Sequence, residues 1–74
     1  MVLCDLKLNS SAYIKEIKLN NTSKLRLYEL GLIEGTKIKL ILKSKGINAY
    51  LFRNTQIAIR NNDASKIIIG DINA

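Results

Sequence analysis

The chain has 74 residues, with 12 lysines and arginines against 6 aspartates and glutamates, no histidine, no proline and one cysteine. This length suits one small domain with a modest core, and a single cysteine excludes an intrachain disulfide. The sequence lacks the usual zinc-ligand spacings, a signal peptide and an apolar run long enough to span a membrane. We therefore expect the protein to lie in the reducing cytoplasm.

The first predicted elements are a short apolar opening, a turn, a strand and a helix. Leu3 and Leu6 are spaced to face the core, and polar residues at 8–11 predict a turn. The predicted strand covers 12–19. Its more apolar face, predicted to point inward, carries Tyr13, Lys15, Ile17 and Leu19. Capping residues then predict a helix over about 23–30, with its N-cap between Asn21 and Ser23.

The end of this helix carries the most informative local pattern. Gly31 stands where a left-handed residue is needed, and Leu27 and Leu32 are spaced to close a Schellman motif by apolar contact. Gly35 follows at the position of a type II turn over 33–36 that requires a positive φ. Both glycines are therefore predicted to serve backbone conformation, and no phosphate-binding motif follows them.

The second half of the chain predicts short strands joined by tight turns. A strand over 36–43 alternates so that Ile38, Leu40 and Leu42 face inward. The elements predicted after it are a hairpin loop at 44–48, a strand at 49–53, a turn at Asn54-Thr55, a strand at 56–60, a 3₁₀ turn within 61–66, a last strand at 67–69 and a frayed tail at 70–74.

Together these elements predict a mainly β fold in one domain over residues 1–74. We expect a small SH3-like, partly open barrel of five to six short strands, with one short helix after the first strand. An OB-fold is the rival architecture, but it usually has a longer chain and a helix later in the sequence.

The sequence resembles the FeoA family over nearly its whole length. Arg26 to Ile38 is similar to the family's central pattern, which has a basic residue, an apolar pair, an acid, Leu-Gly-Leu, Gly-Thr and a β-branched strand. The opening and closing patterns of the family resemble Leu3-Cys4-Asp5-Leu6 and Ile57-Ala58-Ile59-Arg60 with Asp63-Ala64 and Ile67. Glu34, Leu8-Asn9 and Asn54 replace proline or glycine of the family pattern, but each can still form a turn.

This resemblance implies a bacterial, cytoplasmic, non-enzymatic accessory protein of ferrous iron uptake and iron homeostasis. Its implied partner is the cytoplasmic G-protein domain of the FeoB-type transporter. The protein would reach the membrane only through this transporter. The family also implies transition metal ion binding. We expect no tightly bound cofactor and at most weak binding of a divalent metal such as iron. The same module resembles the C-terminal SH3-like domain of iron- and manganese-dependent repressors.

Four residues are the candidate surface for protein–protein interaction: Arg26, Glu29, Ile33 and Glu34. The alternative is a solvated helix stripe, where an Arg26–Glu29 ion pair would contribute under ~0.5 kcal/mol. The aromatic residues fit either a peptide groove or, as we prefer, core and half-core positions; they are Tyr13, Tyr28, Tyr50 and Phe52.

Two other function classes remain open. Cys4 with Asp5 leaves most of a metal coordination shell empty, so a buried structural cysteine is preferred to a metal sensor or chaperone. The net charge of +6 permits a nucleic-acid-binding small β-barrel, although the lysines are scattered. The carboxylates are too dispersed for acid–base catalysis. The sequence leaves the direction of regulation and the oligomeric state undetermined.

Overall fold

The computed structural model describes residues 1–71 as a five-stranded antiparallel sheet with short helical segments. After a 3₁₀ helix (Leu3–Asp5), the elements are β1 (Ser11–Ile17), α1 (Asn21–Glu29), β2 (Lys37–Ser44), β3 (Ile47–Phe52), β4 (Thr55–Arg60), α2 (Asn61–Ala64) and β5 (Ile67–Asp71). The strands lie in the order β4-β3-β2-β1-β5, so β4 and β5 form the two edges. The mainly β fold and the helix after the first strand are confirmed.

The ends of several elements differ from the prediction, most clearly those of α1 and β5. The N-cap of α1 is Asn20, whose side-chain oxygen accepts a hydrogen bond from the Ser23 N–H at 2.8 Å. The helix therefore begins about two residues earlier than predicted. Gly70 and Asp71 belong to β5, so the predicted frayed tail does not begin at Gly70. The rest of that predicted tail, residues 72–74, lies outside the described residues.

A bulge in β1 makes the face that the sequence predicts for this strand correct at Ile17 but wrong before it. Ile14 pairs with Ile69 and Glu16 pairs with Ile68, so Lys15 is the extra residue. Ile14 and Ile17 are consequently both buried, although they lie three residues apart. The predicted inward positions of Tyr13 and Lys15 are wrong, since both side chains are exposed, and Leu19 lies beyond the end of β1.

A second bulge lies in β2 and exposes Leu42. Leu40 pairs with Tyr50, and Leu42 pairs with the next residue back, Ala49, so Ile41 is the extra residue. Ile38 and Leu40 are fully buried as predicted, whereas Leu42 is 59% exposed. Its predicted burial is wrong because strict alternation ends at Ile41.

The core fills one side of the sheet and is closed by the opening segment and α1. Leu3 and Leu6 are buried as predicted. Tyr50 and Phe52 are buried too, whereas Tyr13 is exposed and Tyr28 is partly buried. The other core residues are Ala12, Ile14, Ile17, Leu27, Leu32, Ile38, Leu40, Ile59, Ala64, Ile67 and Ile69. The preference for core and half-core positions is therefore confirmed for Tyr50, Phe52 and Tyr28, which packs against the core, and is wrong for Tyr13.

Candidate partner-binding site

The end of α1 has the Schellman geometry that the sequence predicts. The Leu32 N–H donates to the Leu27 carbonyl and the Gly31 N–H donates to the Tyr28 carbonyl, each at 2.9 Å. Gly31 has a φ of +96°, which a residue with a Cβ adopts only with strain. Leu27 and Leu32 are both buried. This end of the helix is therefore fixed by hydrogen bonds and by apolar packing.

The turn that follows is tied to the sheet. The Thr36 N–H donates to the Ile33 carbonyl at 3.1 Å, and Gly35 has a φ of +90°, as a type II turn requires. The Gly35 N–H donates to the Ile14 carbonyl of β1 at 2.7 Å. Ile33 is left 39% exposed at the tip of the turn. The two glycines thus place an apolar side chain on a rigid loop.

Glu34 joins this turn back to the helix. The Tyr28 hydroxyl lies 2.7 and 2.8 Å from the two carboxylate oxygens of Glu34, to which it can donate. The Lys24 ammonium lies 3.9 Å from the same carboxylate and 5.7 Å from the centre of the Tyr28 ring. Lys24 and Tyr28 were missed as site residues, although their spacing of four places them on one helix face.

The ion pair expected between Arg26 and Glu29 is not formed. Within residues 1–71, the one ion pair joins Lys24 to Glu34 instead. Arg26 and Glu29 are both exposed. The hydrogen bond with Tyr28 holds Glu34 within reach of Lys24. Lys24 lies one turn before Tyr28 in α1. The helix stripe therefore presents two side chains that are available to a partner.

An open groove separates α1 from the edge strand β4. Its volume is about 340 Å³. Its lining residues are Leu19, Ser23, Arg26, Leu27, Leu30, Ile47, Ile57, Ala58, Ile59, Arg60 and Asp63. Leu30 is 49% exposed at this groove, beside the cations of Arg26 and Arg60. The contribution of β4 was missed because it comes from residues distant in the sequence.

The hydrogen bond between Tyr28 and Glu34 changes how both groups titrate. The Tyr28 hydroxyl, with a backbone hydrogen bond and Lys24, lowers the pKa of the Glu34 carboxyl below its ordinary value. The same bond raises the pKa of Tyr28. Stability from Glu34 is present above its unfolded-state pKa and is lost as the pH falls through its folded-state pKa. Stability from Tyr28 is lost as the pH rises through its own raised pKa.

Removing this hydroxyl should change one pKa selectively. In Tyr28→Phe, we expect the pKa of Glu34 to move up toward its ordinary value, because its strongest hydrogen-bond donor is lost. Titration of the Glu34 side-chain carboxyl by NMR measures this shift, and the exposed carboxyl of Glu16 is the internal control. An unchanged Glu34 pKa in the variant would contradict the proposed role of the hydroxyl.

The described residues do not fit a resident metal site. Cys4 is free and partly buried against the core. Across residues 1–71, no three side chains of the kinds that bind metals converge, and the chain has no histidine. Cys4 with Asp5 offers too few ligands for a closed site. The predicted weak binding of a divalent metal stays a prediction. No helix in this part of the chain is long and apolar enough to cross a membrane.

Comparisons with known proteins identify the family and the fold. The FeoA domain family model matches residues 1–70, and a search of curated proteins returns no match. The FeoA protein of Chlorobium tepidum is 24% identical, with a TM-score of 0.90 over 97% of this chain and 70% of that chain. FeoA of Stenotrophomonas maltophilia, a prokaryotic SH3 domain protein complexed with zinc, is 24% identical, with a TM-score of 0.77 over 95% of this chain and 89% of that chain. IdeR of T. acidophilum is 26% identical, with a TM-score of 0.82 over 96% of this chain and 33% of that chain.

Proposed function

Because this chain belongs to the FeoA family, which is associated with ferrous iron transport, we propose that it docks on the membrane transporter of that system. The partner is the cytoplasmic G-protein domain of an FeoB-type transporter. In this role the chain is a non-catalytic accessory protein, and it acts by binding. The docking surface, termed the helix–turn surface, consists of Arg26, Glu29, Leu30, Ile33 and Glu34.

The rigidity of this surface is the observation that carries the proposal. The Schellman motif, the bond from Gly35 to β1 and the bonds between Tyr28 and Glu34 fix its shape before a partner arrives. Binding to a preorganised surface loses less conformational entropy than binding to a mobile loop. Leu30 and Ile33 supply exposed apolar area, and Arg26 and Glu29 supply charges at its border.

A specific interface sets the area that this docking has to cover. A standard interface covers about 800 Å² of each partner. The accessible area of the chain is 4816 Å². The helix–turn surface and the adjoining groove therefore need to supply roughly one sixth of the molecular surface. Buried apolar anchors within a polar border are the usual energetic core of such an interface.

Exchanging the two border charges tests this surface without changing the net charge. For Arg26→Glu with Glu29→Lys, we expect the affinity for the transporter's soluble cytoplasmic domain to fall about tenfold or more, because both charges then face like charges. Isothermal titration calorimetry measures the affinity. Glu16→Lys with Lys18→Glu is the matched control, since Glu16 is exposed on β1 and Lys18 is exposed just after it, and neither residue belongs to this surface.

Three outcomes would contradict the proposal. If the wild-type chain does not bind the transporter's cytoplasmic domain, the proposed partner is wrong. If it binds and the Arg26/Glu29 variant binds equally well, the partner stands but the helix–turn surface is wrong. Equal losses in this variant and in the Glu16/Lys18 control would indicate a general electrostatic effect.

A further inference from the structure

The outer face of the sheet, on the side away from the core, carries a second patch that the proposed docking does not use. Cross-strand register fixes its composition, because paired residues point to the same face. Tyr13 pairs with Lys37, and Lys39 lies between Ser11 and Leu51. Beyond the β2 bulge, Leu42 pairs with Ala49, which in turn pairs with Ala58. We term Tyr13, Lys37, Lys39, Leu42, Leu51 and Arg53 the outer sheet face.

Among residues 1–70, every charged residue that lines the shallow depression in this face is a cation. The depression has a volume of about 510 Å³, and its charged lining residues are Lys37, Lys39 and Arg53. Lys15 adds a fourth cation to this face. Gly70 pairs with Tyr13, and the Lys15 side chain lies over Gly70, only 2.9 Å from where a Cβ would stand. Glu16, the nearest carboxylate in β1, pairs with Ile68 beyond the bulge and does not line the depression.

Apolar side chains are exposed on the same face as these cations. Leu42 is 59% exposed and Tyr13 is 42% exposed. Leu51 and Ala49 are partly buried. The bulge at Ile41 is what turns Leu42 out to this side, next to Ala49. An amphipathic surface of lysines with aliphatic and tyrosine side chains is typical of proteins that lie on anionic bilayers, because each lysine can extend its ammonium to a headgroup.

The aromatic side chains argue against single-stranded nucleic acid as the occupant. Strand-binding surfaces stack successive bases on several exposed aromatic rings. On the outer sheet face only Tyr13 offers such a ring. Tyr50 and Phe52, the aromatic residues of β3, are buried in the core. A bilayer surface needs charge and shallow apolar contact, and both are present here.

We propose that the outer sheet face binds the surface of a membrane rich in anionic phospholipids. This face shares no lining residue with the groove between α1 and β4, so lipid and a protein partner can be bound together. The inference stands without the proposed docking, because it rests on the charge and exposure of this face alone. It differs from the expectation that the chain reaches the membrane only through the transporter.

Vesicle co-sedimentation of the purified chain tests this inference in the absence of any transporter. The vesicles are phosphatidylcholine with and without phosphatidylglycerol. We expect binding only to the anionic vesicles, and we expect it to weaken as salt is raised. Lys37→Gln with Lys39→Gln should weaken partitioning about 25-fold, since each cation near the surface contributes about fivefold. Thermal unfolding of each variant confirms that it is folded.

The matched control is Lys18→Gln with Lys66→Gln, which removes the same charge from exposed positions outside the outer sheet face. Its binding should fall far less than that of the Lys37/Lys39 variant. Leu42→Ser should also weaken vesicle binding, because it removes the exposed apolar contact. The inference is overturned if anionic vesicles are not bound, if both lysine pairs have equal effects, or if a short single-stranded oligonucleotide binds more tightly and competes with the vesicles.

Discussion

Leu32→Ala is expected to lower the free energy of unfolding by about 2–5 kcal/mol, the largest stability loss that we predict for this chain. Leu32 is fully buried and forms the apolar closure of the Schellman motif with Leu27. Truncating it leaves a cavity where the end of α1 meets the core. A domain of this size is stabilised by only about 4–11 kcal/mol in total, so the variant should be marginally folded. Urea denaturation measures the change.

Leu30→Ala is the matched control for this prediction. It removes the same atoms two residues earlier, at the C-cap of α1. Leu30, however, is 49% exposed. We expect its cost to stay below about 1 kcal/mol, as is usual for exposed positions. Equal losses for Leu30→Ala and Leu32→Ala would contradict the structure of the helix end. A small loss for both would show that the Schellman contact contributes little.

Leu30→Glu is expected to have the largest effect on partner binding. The variant places a carboxylate at the groove between α1 and β4, where a partner would bury an apolar side chain. Burial of an unpaired charge is costly, and replacing one anchor residue commonly lowers the affinity tenfold or more. We expect the affinity for the transporter's cytoplasmic domain to fall at least about tenfold. Calorimetry of the folded variant measures this loss.

Leu25→Glu supplies the control for the groove. Leu25 lies on the same helix and is 57% exposed, but it does not line the groove. The same change of residue type and charge should therefore leave the affinity nearly unchanged. Equal loss of binding in Leu25→Glu and Leu30→Glu would show that the groove has no special role. Retained binding in Leu30→Glu would remove Leu30 from the proposed interface.

Local patterns predicted the helix end and its turn well. The stop at Gly31, the Leu27–Leu32 contact and the positive φ of Gly35 depend on neighbouring residues, so their spacing in the sequence carries enough information. The family pattern is densest over the same stretch. Within α1 only Leu27 is buried, however, and Leu25 and the C-cap Leu30 stay exposed.

The strand faces were harder to predict because bulges interrupt alternation. The extra residues Lys15 and Ile41 are fixed by pairing with β5 and β3, and no local signal marks them. Each bulge changes which positions face inward along its strand, and two of the resulting errors, Tyr13 and Leu42, fall on the outer sheet face. The groove was missed for a similar reason, since it joins residues of α1 and β4 that are distant in the sequence.

The helix–turn surface can be tested most directly by titrating the isotope-labelled chain with the unlabelled cytoplasmic domain of the transporter and following backbone amide shifts by NMR. Docking as proposed predicts the largest changes at Arg26, Glu29, Leu30 and Ile33 and along the neighbouring edge of β4, with the outer sheet face unchanged. Changes confined to Tyr13, Lys37 and Lys39, or no changes at saturating partner concentration, would contradict docking through the helix–turn surface.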